Sequence, residues 1–373
     1  MAEKYAKYGR AGFLTRPFCI DEPSPVPLPQ TGEGKILKKD SHVKRILQLI
    51  WILTAITYTI TIFPTRLIHA QALTTFRIAN GTSGENPAVL WVGVDQGIYR
   101  KHGLNVEVIF MRTGPLAMSA LVSGDVSAVL TSSNNVLNVA AGGLDVVAIA
   151  TLINKPEGDL IARPEIKKAE ELRGKTVAIQ SIGGGGWANN MLALDYLGLD
   201  PDRDKINFLV LGDQPSRIQS LETGRAQASW MGPTFSASLK KRGFTVLLDL
   251  TKAPIPYLGS SLIARRGTFR QEQKHYEALL QGTLDAMRFF VKPENKAAVL
   301  KSMVRVLRLP RVEDAESGYN GLLGTYSTDL KPKPEGVKKI YSILLRTNPK
   351  LQTLKPESII DDSLIQKIHA SGY

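Results

Sequence analysis

Cysteine is nearly missing from this sequence: Cys19 is the single one in 373 residues. It lies ahead of the first well-patterned segment. The patterned part of the chain therefore has no thiol for a disulfide, a thiolate nucleophile or a Cys-ligated zinc site. Histidine is scarce as well, with five in all. His102, His275 and His369, the three beyond the leader, are far apart, and no H-E-x-x-H or G-x-S-x-G motif accompanies them. Acidic residues are outnumbered, 34 Asp and Glu against 47 Lys and Arg, for a net charge of +13. The basic residues are dispersed and no nucleic-acid motif is present, so nucleic acid is not an expected partner. The excess reads either as solubility or as a preference for anionic ligands. At 43% hydrophobic residues the chain has ample material for a core, and its length suits two domains or one large one.

Residues 1–72 form a leader of different character. Pro23, Pro25, Pro27 and Pro29 punctuate a tail over 1–42 without periodic apolar residues. Lys44 and Arg45 then open an apolar run from Ile46 to Phe63, and Ala70-Gln71-Ala72 follows. A basic start, an apolar middle and an A-x-A end are the parts of a cleavable signal peptide, with cleavage expected after Ala72. The alternative is a permanent anchor through residues 46–63, since the run is near the spanning length. A long tail ahead of a signal peptide also suggests a start near Val43.

The patterned region contains an echo. Leu121–Ser133 is matched one hundred residues later by Leu221–Pro233, with Pro115 on Pro215, Gly124 on Gly224, Ala128 on Ala228 and Gly143 on Gly243. Each copy reads as helix, Gly stop, short apolar strand, polar loop, helix and strand. Two such α/β units imply two lobes facing each other across a ligand-holding cleft. The periodicity predicts strands near 76–79, 104–110, 126–130 and 146–152, then 173–179, 206–211, 226–231 and 245–250. Helices are expected between them, giving mainly parallel sheets with helical cover. Beyond Ala264 the pattern turns helical, at roughly 271–291, 294–307, 312–324, 334–346 and 361–370, with Pro293, Pro310, Pro334 and Pro356 at the boundaries.

Four stretches carry a family resemblance: Gly93–Val108, Ala120–Val126, Glu171–Ala178 and Gly224–Ala228. In this order and spacing the sequence resembles the periplasmic substrate-binding proteins of ABC importers in the nitrate/sulfonate/taurine group, which includes binders of thiamine-pyrimidine precursors. It departs from the family pattern at Ser127 and Gln227, where an Asp recurs. The resemblance implies an α/β, two-lobed type II periplasmic-binding-protein fold with a helical C-terminal third. Lobe one would comprise 73–162 plus 258–373 and lobe two 163–257. The two crossings would lie near Leu160–Pro164 and Tyr257–Leu262, and ligand would be captured by hinge closure.

Ligands of parallel α/β sheets sit where strands end and helices begin. Four loops meet that description: 83–87, 131–135, 181–187 and 231–234. Asn86 offers an amide at the cleft mouth. Ser132, Ser133 and Asn134 offer hydrogen bonds, or a helix cap. Ser181 leads into Gly183, Gly184, Gly185 and Gly186, whose backbone N–H groups converge at a helix start and suit an anion. Trp187 and Trp230 flank the same edge, as stacking surfaces or as core. Gly232 and Pro233 close the fourth loop, and Arg112 with Thr113 supplies a candidate cation and donor beside a strand end.

The expected function is capture of a small ligand, anionic in one reading, and its delivery to a permease in the inner membrane. No catalysis, metal or cofactor is expected, and the protein is read as a periplasmic monomer. Alternatives are an enzyme on the same fold, or a sensory ectodomain on an uncleaved anchor. The pyrimidine synthases of this fold carry a cysteine-rich motif that is absent here.

Overall fold

The computed structural model of the chain describes residues 45–52, 72–82 and 84–373. It divides into two units, Met1–His69 and Ala70–Tyr373. In the first, residues 45–52 are helical. The tail over 1–42, most of the apolar run and Ala70-Gln71 of the expected cleavage site lie outside the described residues. Among those described, no helix is long and apolar enough to cross a membrane.

The second unit is built on two five-stranded sheets. The chain forms β1 (Thr74–Asn80), β2 (Leu104–Phe110), β3 (Ala128–Thr131) and β4 (Val146–Thr151) in the first sheet. It then lays down β5 (Asp159–Ala162), β6 (Thr176–Ile179), β7 (Asn207–Val210), β8 (Ala228–Met231) and β9 (Thr245–Asp249) in the second. Finally β10 (Ser261–Arg265) returns to the first. The orders are β2-β1-β3-β10-β4 and β7-β6-β8-β5-β9. Pairing is parallel except at β10 and β5, each antiparallel to both neighbours.

Helices fill the connections: α1 (Ala88–Asp95), α2 (Ile98–Lys101), α3 (Gly114–Ser123) and α4 (Ser133–Ala141) over the first sheet. Helices α5 (Gly185–Tyr196), α6 (Gln214–Glu222) and α7 (Pro233–Lys241) serve the second. The C-terminal part supplies α8 (Arg266–Gln271), α9 (Gln273–Val291), α10 (Lys296–Leu307), α11 (Glu316–Thr325), α12 (Glu335–Leu345) and α13 (Ser363–Ala370). Both copies of the repeat thus form the same elements. Gly124 and Gly224 end α3 and α6 at φ 89° and 75°, a conformation that disfavours side chains.

Side-chain alternation explains why the strands read as continuous apolar runs. On β1, Phe76 and Ile78 enter a core with α1, α9 and α10, while Ala79 enters another with α3 and α4. On β3, Ala128 and Leu130 take the first side and Val129 the second. A sheet covered on both faces has no polar side to show. The second core does not stop at the first lobe. It continues through Val337 and Ile340 of α12 and through α5 to Val177, Ile179 and Trp230 of the other sheet. Each fully buried large apolar side chain there contributes about 1.5–3 kcal/mol.

One departure from the sequence reading stands out. The segment Asp159–Ala162 was expected to end lobe one, with the crossing at 160–164, yet β5 is hydrogen-bonded between β8 and β9. The first crossing therefore falls at 152–158, and its partner at 250–260. Four residues are too short for a periodic signal, and Gly158 ahead of them marks only a turn. The departures from the family pattern have local roles: Gln227 accepts from the Thr176 N–H at 3.0 Å and donates to the Gly224 carbonyl at 2.9 Å, while the Ser127 carbonyl accepts from the Tyr276 hydroxyl at 2.7 Å.

Candidate functional site

A small cavity of about 30 Å³ lies where the two sheets face each other, with walls from both lobes and both crossings. That volume is enough to hold a water molecule. From the first lobe come Thr82, Asn86, Thr131 and Ser132; from the second, Gln180, Gly185, Gly186, Asn189 and Trp230. The crossings add Lys155, Glu157, Tyr257 and Ser260.

The first crossing is fixed by its close approach to β8. Gly158 has φ 74°, and a Cβ there would collide with the Met231 carbonyl and come within 2.8 Å of the Trp230 indole nitrogen. The indole N–H donates to the Glu157 carbonyl at 2.6 Å. Trp230 is held in turn by Asn190, whose side chain accepts from its backbone N–H at 2.9 Å, and by Arg217, which donates to its carbonyl at 2.7 Å. The Arg217 guanidinium is fully buried 5.7 Å from the indole, and burial lowers its pKa to about 10.

These constraints leave the Glu157 side chain against the cavity. It is 2% exposed, and neither carboxylate oxygen has a hydrogen-bond partner in the protein. Burial pushes its pKa up to about 8, and repulsion from Glu85 adds to this. Asn86 and then Lys155 offset the shift in part, although the Asn86 amide is turned to the Ser260 hydroxyl at 3.1 Å. Asn189 also presents an unpartnered Oδ1.

Near the cavity the lobes meet directly. Glu85, fully buried, accepts from the Thr234 N–H at 2.8 Å and so caps the start of α7 from the opposite lobe. Burial raises its pKa. Asn134 donates to the Gly183 carbonyl, and Gln180 donates to the Arg112 carbonyl at 3.0 Å. A Cβ on Gly185 would stand 3.0 Å from the Ser132 hydroxyl, so the missing side chain lets α5 approach lobe one.

Of the residues expected from sequence, Asn86, Ser132, Gly185, Gly186 and Trp230 line the cavity. Asn134 lies beside it, accepting from the Tyr257 hydroxyl at 3.0 Å, and Gly183 and Gly184 lead into α5 with Gly184 at its cap. Trp187 requires correction: it is 4% exposed within the hydrophobic core and does not reach the cavity. Arg112 lines a separate groove of about 780 Å³. Thr113 caps α3 through the Leu116 N–H at 3.3 Å. Gly232 and Pro233 start α7, the Gly232 N–H donating to Gln214 at 2.7 Å. Ser133 and Ser181 have buried, unpartnered hydroxyls but do not line the cavity, and Ser83 lies outside the described residues.

Sequence reasoning missed Glu157, Lys155, Gln180, Asn189, Glu85 and the second-crossing residues Tyr257 and Ser260. Lys155-Pro156-Glu157-Gly158 reads as an ordinary turn. One signal was available: Asn189 and Asn190 are poor helix formers in the middle of an apolar helix.

The architecture is the periplasmic-binding-protein fold. The chain belongs to the NMT1/THI5-like family, whose profile matches residues 85–297. Comparison with curated protein sequences gives no match. Similar solved structures include a protein of Bordetella bronchiseptica RB50, at 16% identity and TM-score 0.69, covering 80% of this chain and 98% of that one. The nitrate-binding protein NrtA of Synechocystis PCC 6803 is 14% identical with TM-score 0.65, over 80% and 89% of the two chains. The alkanesulfonate-binding protein SsuA of Xanthomonas axonopodis pv. citri, solved with MOPS, is 16% identical with TM-score 0.63, over 77% and 98%.

Proposed function

We propose that the chain is an exported solute-binding protein of an ABC importer. It captures a small ligand by closing two lobes and presents it to a membrane permease. One observation carries the reading: both lobes and both crossings supply walls to one cavity, with buried polar atoms there that lack protein partners. Such atoms cost about 1–3 kcal/mol each when unpaired, which a ligand can recover on binding. Periplasmic location and the expected leader 1–72 agree with the role named for NrtA and SsuA, as does delivery to a permease. Scattering measurements on the full chain test it. Its bound solute, recovered by mass spectrometry and added back, should reduce the radius of gyration; no change with any recovered small molecule would refute lobe closure.

A second reading, an enzyme on the same fold, draws on Glu157, since a pKa near 8 in a cleft suits a general base. Mass spectrometry of the solute before and after incubation separates the two: a binder returns it unchanged.

A further inference from the structure

The chemistry of the cavity's free atoms indicates what kind of group enters it. Nearby donors are already engaged: the Trp230 indole with the Glu157 carbonyl, the Tyr257 hydroxyl with Asn134, and the Asn86 amide with Ser260. Of the residues lining the cavity, those with buried unpartnered atoms offer acceptors, both carboxylate oxygens of Glu157 and Oδ1 of Asn189; Lys155 also lines it and is the one cationic side chain there among the described residues. A buried carboxylate lacking donors is costly, and a second negative charge beside it would add to that cost. A group carrying N–H donors and positive charge removes both penalties.

We propose that the cavity selects a solute bearing a protonated amine or amidine, whose N–H groups pair with the Glu157 carboxylate. This rests on the binding reading and departs from the anionic ligand suggested by sequence. The rest of the solute would displace the contacts that Gln180 makes between the lobes, since Gln180 borders both this cavity and the larger groove.

The titratable groups around Glu157 act in opposite directions, and those that keep it protonated are the stronger. Glu85 opposes its ionisation, Lys155 assists it least of the four influences, and Tyr257 and Tyr326 are themselves raised by the same burial. Ligand-free, the closed site holds a proton on Glu157 up to about pH 8. A cationic solute would lower that pKa, so binding would release a proton and tighten about tenfold per pH unit between 6 and 8. An anion would do the reverse.

The test uses the full chain with n-butylammonium, butanol and butanesulfonate, matched in alkyl length, read by thermal shift and intrinsic fluorescence. The expected result is a shift with butylammonium alone, reduced at least tenfold in concentration dependence by Glu157→Gln. Below about pH 8 Glu157→Gln should itself melt close to the parent, because it replaces a neutral carboxyl by a neutral amide of the same shape; this shows that the loss is not unfolding. A shift with butanesulfonate that survives Glu157→Gln would overturn the cation while leaving the binding reading intact. No shift with butylammonium at millimolar concentration would also overturn it, and the recovered-solute scattering measurement would then judge the binding reading alone.

Discussion

The strands that enter the two sheets from the crossings occupy equivalent places. Asp159 of β5 pairs with Met231, and Ser261 of β10 pairs with Thr131, two residues that the hundred-residue repeat already equates. Two positions earlier, Glu157 therefore corresponds to Gly259. The helix starts differ in the same manner. The first residues of α7 receive the Glu85 carboxylate from the opposite lobe, whereas α4, at the matching position, has no side-chain cap and leaves Ser132 on the cavity. The duplicated scaffold supplies the cleft, and two unduplicated glutamates give it a sign. On the proposed reading, recognition resides in residues that break the repeat.

Substitutions at matched positions can break or sharpen that contrast. The largest effect is expected at the paired tryptophans. Trp187→Ala should lose about 3–5 kcal/mol in urea unfolding, as a core deletion does. Trp230→Phe keeps an aromatic ring but removes the hydrogen bond to the Glu157 carbonyl, costing about 1–3 kcal/mol and weakening solute binding. Equal stability of Trp187→Ala and the parent would remove it from the core. The crossings come next: Gly158→Ala meets backbone and a positive φ, so a loss of about 3 kcal/mol is expected. Gly259→Ala meets the Ile153 carbonyl at 2.9 Å without a positive φ and should cost less. A reversed order would contradict the placement of the first crossing.

Glu85→Ala removes the only carboxylate seen bridging the lobes at α7 among the described residues. It should shift the ligand-free chain toward an open form by about 1–2 kcal/mol, read as a larger radius of gyration. Glu157 sets a pH dependence with a definite sign. Its folded pKa, about 8, exceeds the usual carboxylate value, so the folded state holds the extra proton. Its stabilising effect is complete below about pH 4.5 and fades as pH rises to 8. Thermal midpoints of Glu157→Gln should therefore fall less over that range than those of the parent. The smallest effect belongs to the exposed Arg77–Glu107 pair between β1 and the edge strand β2, 3.0 Å apart, where Glu107→Gln should cost under about 1 kcal/mol.

Much of this was readable before any coordinates. The repeat placed α3, β3, α4 and β4 against α6, β8, α7 and β9, because glycine stops and apolar alternation are local signals. The glycine run pointed to the start of α5, and Ser132 and Trp230 reach the cavity as the loops implied. What stayed hidden depends on long-range packing. β5 is four residues long and gains its identity only from β8 and β9. Glu157 looks like part of a surface turn until Trp230 and Gly158 pull that turn inward. Trp187 and Trp230 have similar sequence settings, yet only the second reaches the cavity.

The central claim concerns the charge state of one carboxyl. Calorimetric titration of the full chain with n-butylammonium at pH 7, run in phosphate and in HEPES, reads proton exchange from the difference in heats. Release of up to one proton per bound cation, abolished in Glu157→Gln, is the predicted result; proton uptake, or heats independent of buffer, would contradict it.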